Sequence, residues 1–127
     1  MSAIYLDTHV AIYLHDGLTE ELSSEAKRRI DDSDLLISPM VVLEFKYLFV
    51  RKKVSVDPKS LLAALAATFG VGVCALPFAS VVFESLDLDW TTDPFDRLIV
   101  GHAAANRMAP LITRDRLIRH HYPGAVW

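Results

Sequence analysis

Apolar and polar positions fall into short blocks, and each block has its own period. Ala3-Ile4-Tyr5-Leu6 is an apolar run ending in Asp7, which reads as a strand buried on both faces. Thr8 to about Leu14 reads as helix, and a second helix is expected from near Ser23 through Glu25, Ala26, Arg29 and Ile30. Leu35-Leu36-Ile37 predicts the next strand, Val71 to Leu76 a third and Pro110-Leu111-Ile112-Thr113 a fourth. Ala125-Val126-Trp127 closes the chain as a short fifth.

Three further helices announce their own starts. Ser38-Pro39, Asp57-Pro58 and Asp93-Pro94 each pair a side chain that can accept an orphan N–H with a proline that has none to leave unpaired. They predict helices over about 39–52, 58–69 and 94–107, with one more over 78–88. Strands alternate with helices throughout. That order implies right-handed crossovers and an α/β/α arrangement around a mostly parallel sheet of four or five strands. In such sheets ligands bind beyond the carboxyl ends of the strands, so the residues that follow each strand are the ones to weigh.

Length and composition narrow the class. The chain has 127 residues, suited to one domain over 1–127 with its own core. At 52% apolar and 23% charged it is ordinary globular sequence, not a disordered or collagen-like chain. Cys74 is the only cysteine, which excludes a disulfide framework and, lying in an apolar run, reads as an inert core thiol. No basic, apolar leader opens the sequence, and a cytoplasmic location is expected. Residues 60–83 carry no charge, but Gly70, Gly72 and Pro77 interrupt them. They read as buried helix, strand and helix, not as a membrane span.

Net charge is −3, so the chain is no generic basic nucleic-acid coat. The charge is uneven: residues 1–96 hold 8 basic and 15 acidic side chains, residues 97–127 hold 5 basic and 1 acidic. A basic end on an acidic body suits either a solvated surface or a rim that meets phosphate.

Four acids stand out. Asp7 and Asp115 each follow a strand, where either could simply cap the next helix. Glu44 lies between Tyr47 and Leu48 on a helical wheel, near Val41 and Phe45; a salt bridge to an arginine such as Arg97 is its ordinary alternative. Asp96 sits three, four and seven positions before Ile99, Val100 and Ala103, within the stripe that should face the sheet. Asp93 has a sufficient role as helix cap. Four carboxylates share a pocket in ionised form only if a cation neutralises them. An all-oxygen set favours Mg²⁺ or Mn²⁺ over Zn²⁺, and the fitting chemistry is metal-assisted phosphodiester hydrolysis.

These residues resemble the PIN domain, and within it the VapC ribonuclease toxins of prokaryotic toxin–antitoxin pairs. The resemblance rests on Ile4-Tyr5-Leu6-Asp7-Thr8, on Ile37-Ser38-Pro39 with Glu44 five residues on, on Asp93-Pro94-Phe95-Asp96-Arg97-Leu98-Ile99, and on Leu111-Ile112-Thr113-Arg114-Asp115. It covers nearly the whole chain. It implies a Mg²⁺- or Mn²⁺-dependent endoribonuclease acting on RNA, a homodimer, and a cognate antitoxin that blocks the site. The family acids fall on Asp7, Glu44, Asp96 and Asp115, a secondary acid on Asp93, and a supporting hydroxyl on Thr113. Two departures stand out. Trp90-Thr91-Thr92 replaces a histidine common before Asp93, and Val100-Gly101-His102-Ala103 replaces a common Ala-Gln-Ala.

Other residues carry less. Thr8 reads as a cap or as the holder of a metal-bound water, and Arg97 as a side chain that orients a neighbouring carboxylate. Arg114, Arg116 and Arg119 surround Asp115 as candidate RNA contacts. His120-His121 reads as surface, since adjacent helical residues point apart. His15 and His102 carry no signal. Two competing readings differ in class: an aspartyl-phosphate phosphatase on Asp7, disfavoured because His9 stands where a second aspartate is wanted, and a non-catalytic binding module that keeps the fold.

Overall fold

The computed structural model describes residues 2–127. Strand β1 (Ala3–Leu6) leads into α1 (Thr8–Asp16), then a 3-10 turn at Thr19–Glu21, α2 (Ser24–Asp31) and β2 (Asp34–Ile37). Helices α3 (Pro39–Val50) and α4 (Pro58–Phe69) precede β3 (Gly72–Val73), and α5 (Phe78–Ser85) and α6 (Pro94–Ala105) precede β4 (Leu111–Ile112). Helix α7 (Arg116–His121) and β5 (Ala125–Val126) complete the chain.

All pairings are parallel and the strand order is β3-β2-β1-β4-β5. The expected α/β/α sandwich is therefore present, with β1 at its centre. Ile4, Tyr5 and Leu6 are at most 1% exposed, as a strand covered on both faces requires. The Tyr5 hydroxyl is satisfied in the core by Cys74 Sγ at 3.0 Å and by the Asn106 amide at 3.1 Å. From β1 the connections run outward to β2 and β3 on one side, then return to β4 and β5 on the other. The order reverses between β1 and β4, which makes a crevice beyond their carboxyl ends.

The proline-marked starts behave as their chemistry dictates. Ser38 accepts from Met40 N–H, Asp57 from Ser60 N–H, and Asp93 from Phe95 N–H. Gly17 and Gly70 stop α1 and α4 at φ 71° and 67°, where a side chain would be strained. Gly101 serves a different need. A Cβ there would lie 3.0 Å from Ser85 Cβ and 3.3 Å from the Val81 carbonyl, so its absence lets α5 lie close on α6.

Two expectations are corrected. The third strand shrinks from 71–76 to Gly72–Val73, because it is a sheet edge with β2 as its only neighbour and Pro77 follows. Residues 60–83 are not buried throughout. Leu61, Leu65, Val71, Cys74 and Val81 are, but Phe78 is 55% and Phe83 72% exposed. Within residues 60–83 each helix buries one stripe and leaves uncharged residues exposed. Among the described residues no helix is long and apolar enough to cross a membrane.

Candidate active site

Asp7 is the first residue past β1. Its backbone N–H still bonds to Ile112 O at 3.0 Å, which fixes it over the β1–β4 reversal. Asp7 is 4% exposed and both carboxylate oxygens are engaged. Oδ1 accepts the Thr8 N–H at 2.8 Å, capping α1, and Oδ2 accepts the Thr113 hydroxyl at 2.6 Å. Thr113 is fully buried after β4 and its hydroxyl oxygen in turn accepts the Asp115 N–H at 3.0 Å. One hydroxyl therefore joins the two strand-end acids. Asp115 caps α7 by accepting the Ile118 N–H at 2.9 Å.

The other two acids come from helices. Glu44 is half-buried on α3 and accepts the hydroxyl of Thr8, so the start of α1 is tied to α3. Thr8 is thus neither the cap of its helix nor free. Burial pushes Glu44 above the usual carboxylate range; the Thr8 bond opposes this, and Asp7 and Asp93 add to it. Asp96 is half-buried on α6, and its carboxylate accepts no hydrogen bond among the described residues. Burial, and then the charges of Asp7, Asp93, Asp115 and Glu44, push its carboxyl up to about 7. Asp93 is exposed and caps α6, as expected.

Asp7, Glu44, Asp93, Asp96 and Asp115 line one pocket of about 360 Å³, with Thr8, His9, Ile12 and Leu48. The five acids are therefore brought to one place. They are not drawn into a closed cage: among the described residues no group of three or more His, Cys, Asp or Glu is arranged to hold a metal ion as it stands. A larger concavity of about 660 Å³, lined by Phe49, Val50 and residues 52–55, holds no acid.

The basic residues divide. Arg97 does not orient a carboxylate and does not pair with Glu44. Its guanidinium donates to Thr91 O at 2.6 Å and Ser85 O at 3.3 Å, clamping the segment that enters α6. Adjacent helical residues point apart, so Arg97 leaves the face that Asp96 occupies. Arg114 pairs with Glu21 at 2.9 Å, both side chains about half exposed, an interaction worth little. Arg116 and Arg119 are exposed on α7, without a charged partner among the described residues.

Two histidines matter more than their sequence context indicates. His9 lines the pocket, and its Nε2 accepts the Arg114 backbone N–H at 2.9 Å. His102 is fully buried, with Nδ1 2.7 Å from Ser38 Oγ and 2.9 Å from Leu98 O, while Nε2 has no partner among the described residues. His102 thereby ties the cap of α3 to α6, the helices that carry Glu44 and Asp96. Helical spacing around His102 gives no warning of this. His120 and His121 are exposed, and His121 stacks on Trp90 with ring centroids 5.1 Å apart.

A family model described as PIN domain matches residues 4–122. No curated protein matches the chain. Among solved structures, the chain is similar to VapBC2 from Rickettsia felis bound to a DNA fragment from its promoter, with TM-score 0.65 and 19% identity over 98% of this chain and 96% of that one. It is similar to a toxin–antitoxin complex from Klebsiella pneumoniae, with TM-score 0.66 and 21% identity over 99% and 97%. It is also similar to DNA-bound VapBC from Salmonella typhimurium, with TM-score 0.59 and 21% identity over 98% and 96%. These likenesses show a shared fold across the whole chain.

Proposed function

The chain belongs to the PIN domain family, and on that premise we propose that it is a Mg²⁺- or Mn²⁺-dependent endoribonuclease, the toxin of a toxin–antitoxin pair. The observation that carries the reading is the convergence of Asp7, Glu44, Asp96 and Asp115 on one pocket beyond the β1–β4 reversal. An acidic pocket repels a phosphodiester unless a cation intervenes, so the acids make sense together only as a cation site.

The donors fit such an ion by their chemistry. All are hard oxygens, and the Asp96 carboxylate has no hydrogen bond to give up among the described residues and an excess of negative charge around it. When bound, the ion supplies an activated water and offsets charge on the phosphodiester. The residues do the rest. Thr113 orients Asp7 and positions Asp115 through one hydroxyl. Thr8 fixes Glu44 against α1. Asp93 holds the first turn of α6, and with it Asp96, by its cap. Arg116 and Arg119 offer RNA phosphates two unpaired charges beside Asp115. Residues 1–127 act as one nuclease domain in the cytoplasm, as a homodimer restrained by a cognate antitoxin protein. The solved toxin–antitoxin complexes of the same fold support that partner.

Asp96→Asn tests the reading. The variant keeps the shape of the side chain and is expected to stay folded while losing cleavage of single-stranded RNA in Mn²⁺. Undiminished cleavage by a folded variant contradicts it.

A further inference from the structure

Apart from the carboxyl groups, two side chains lining the acidic pocket can donate a hydrogen bond, Thr8 and His9. The Thr8 hydroxyl is already given to Glu44. His9 differs. Its Nε2 accepts the Arg114 backbone N–H at 2.9 Å, so that atom presents a lone pair and the ring proton sits on Nδ1. Nδ1 stands 3.6 Å from Asp7 Oδ2, beyond hydrogen-bonding length. The Asp7 oxygens are taken, Oδ2 by Thr113 at 2.6 Å and Oδ1 by the Thr8 N–H at 2.8 Å. The ring is 32% exposed, so the Nδ1–H is accessible and has no acceptor within hydrogen-bonding length among the described residues.

No lysine or arginine lines the pocket. Arg97 is committed to two carbonyls, and Arg114 faces Glu21. A phosphodiester entering between carboxylates therefore meets one available side-chain donor outside the carboxyl groups. Building on the nuclease reading above, we propose that His9 Nδ1–H binds a non-bridging oxygen of the RNA phosphodiester and sets its orientation in the pocket. A neutral donor suits this task. It holds the anionic oxygen without forming a salt bridge to Asp7 or Asp115, which would draw a cationic side chain away from substrate.

The rival role for His9 is purely structural, as an acceptor that pins Arg114. Two variants separate the roles. His9→Gln places its amide near Nε2, keeps the Arg114 bond and has no donor near Nδ1. His9→Asn restores an N–H near Nδ1 and gives up the Arg114 bond. Each is compared with wild type for Mn²⁺-dependent cleavage of a labelled single-stranded RNA. Binding of the same RNA is read by fluorescence anisotropy in the non-cleaving Asp96→Asn background. The proposal expects His9→Gln to lose about 10- to 100-fold in kcat/KM and to bind more weakly, with His9→Asn within about threefold of wild type. The opposite order assigns His9 to pinning Arg114 and overturns the proposal, as do equal losses in both variants or none in either. Wild-type protein that neither binds nor cleaves RNA removes the nuclease reading and the His9 role together. Wild-type cleavage that His9→Gln leaves intact removes the His9 role alone.

Discussion

The Thr113 hydroxyl donates to Asp7 Oδ2 at 2.6 Å across 106 positions of sequence, with both residues almost wholly buried. It locks the ends of the two strands between which the sheet order reverses, and it holds a buried carboxylate in one rotamer. Thr113→Val keeps the shape and removes the donor. It is expected to lower stability by about 1–3 kcal/mol, because Asp7 then keeps a buried oxygen unpaired. It also lowers cleavage, and Thr113→Ser restores both. Chemical denaturation and a cleavage assay on the three proteins check this. Equal stability of the valine variant would show that the bond holds nothing.

Stability should depend on pH through Asp96. Its carboxyl titrates near 7 in the folded chain and near 3.8 in the unfolded one. Between those values the folded state holds the extra proton, so metal-free stability falls as pH rises from about 4 to 7. Glu44 is raised as well and acts in the same direction. Melting curves of the metal-free protein over this range should slope downward, and Asp96→Asn should flatten the slope. Mn²⁺ competes with the same proton, so its stabilising effect should grow through pH 7. A slope that Asp96→Asn does not change would place the titration elsewhere.

Removing Arg116 and Arg119 should weaken RNA binding without altering the pocket. Each phosphate contact on a single strand contributes about 0.7 to the slope of log affinity against log salt. The double alanine variant should therefore show a slope shallower by roughly 1.4 if both contacts form. Binding measured from low to moderate salt decides it; an unchanged slope makes α7 a bystander.

Arg97→Lys keeps the charge and gives up the fork that spans Thr91 O and Ser85 O. It is expected to cost about 1–2 kcal/mol of stability and to leave measurable cleavage. Cleavage lost as completely as in Asp96→Asn would place Arg97 in the site after all.

Much of the fold is legible locally. A cap followed by proline is a short-range device, so Ser38, Asp57 and Asp93 announce their helices in two residues each. Asp96 is legible as well, because helical period alone places it among Ile99, Val100 and Ala103. The links inside the site are not. Thr8 meets Glu44 across 36 positions and His9 meets Arg114 across 105, pairings that exist only once the sheet has formed. Arg97 misleads for a simpler reason: neighbours in sequence are not neighbours on a helix. Residues 60–83 mislead because absence of charge is not burial, and folded surfaces keep much apolar area.

On the proposed reading the four carboxylates act as one metal-dependent site on RNA. The most direct test of that reading incubates the purified chain, free of any partner, with a mixed single-stranded RNA pool in Mn²⁺, in Mg²⁺ and in EDTA, beside Asp7→Asn. Melting temperatures of both proteins are recorded with and without Mn²⁺. The expected result is cleavage in either metal, none in EDTA, none with the variant, and a Mn²⁺-induced rise in melting temperature that Asp7→Asn loses. Cleavage that persists in EDTA, or no cleavage together with melting temperatures that Mn²⁺ leaves unmoved in both proteins, would contradict it.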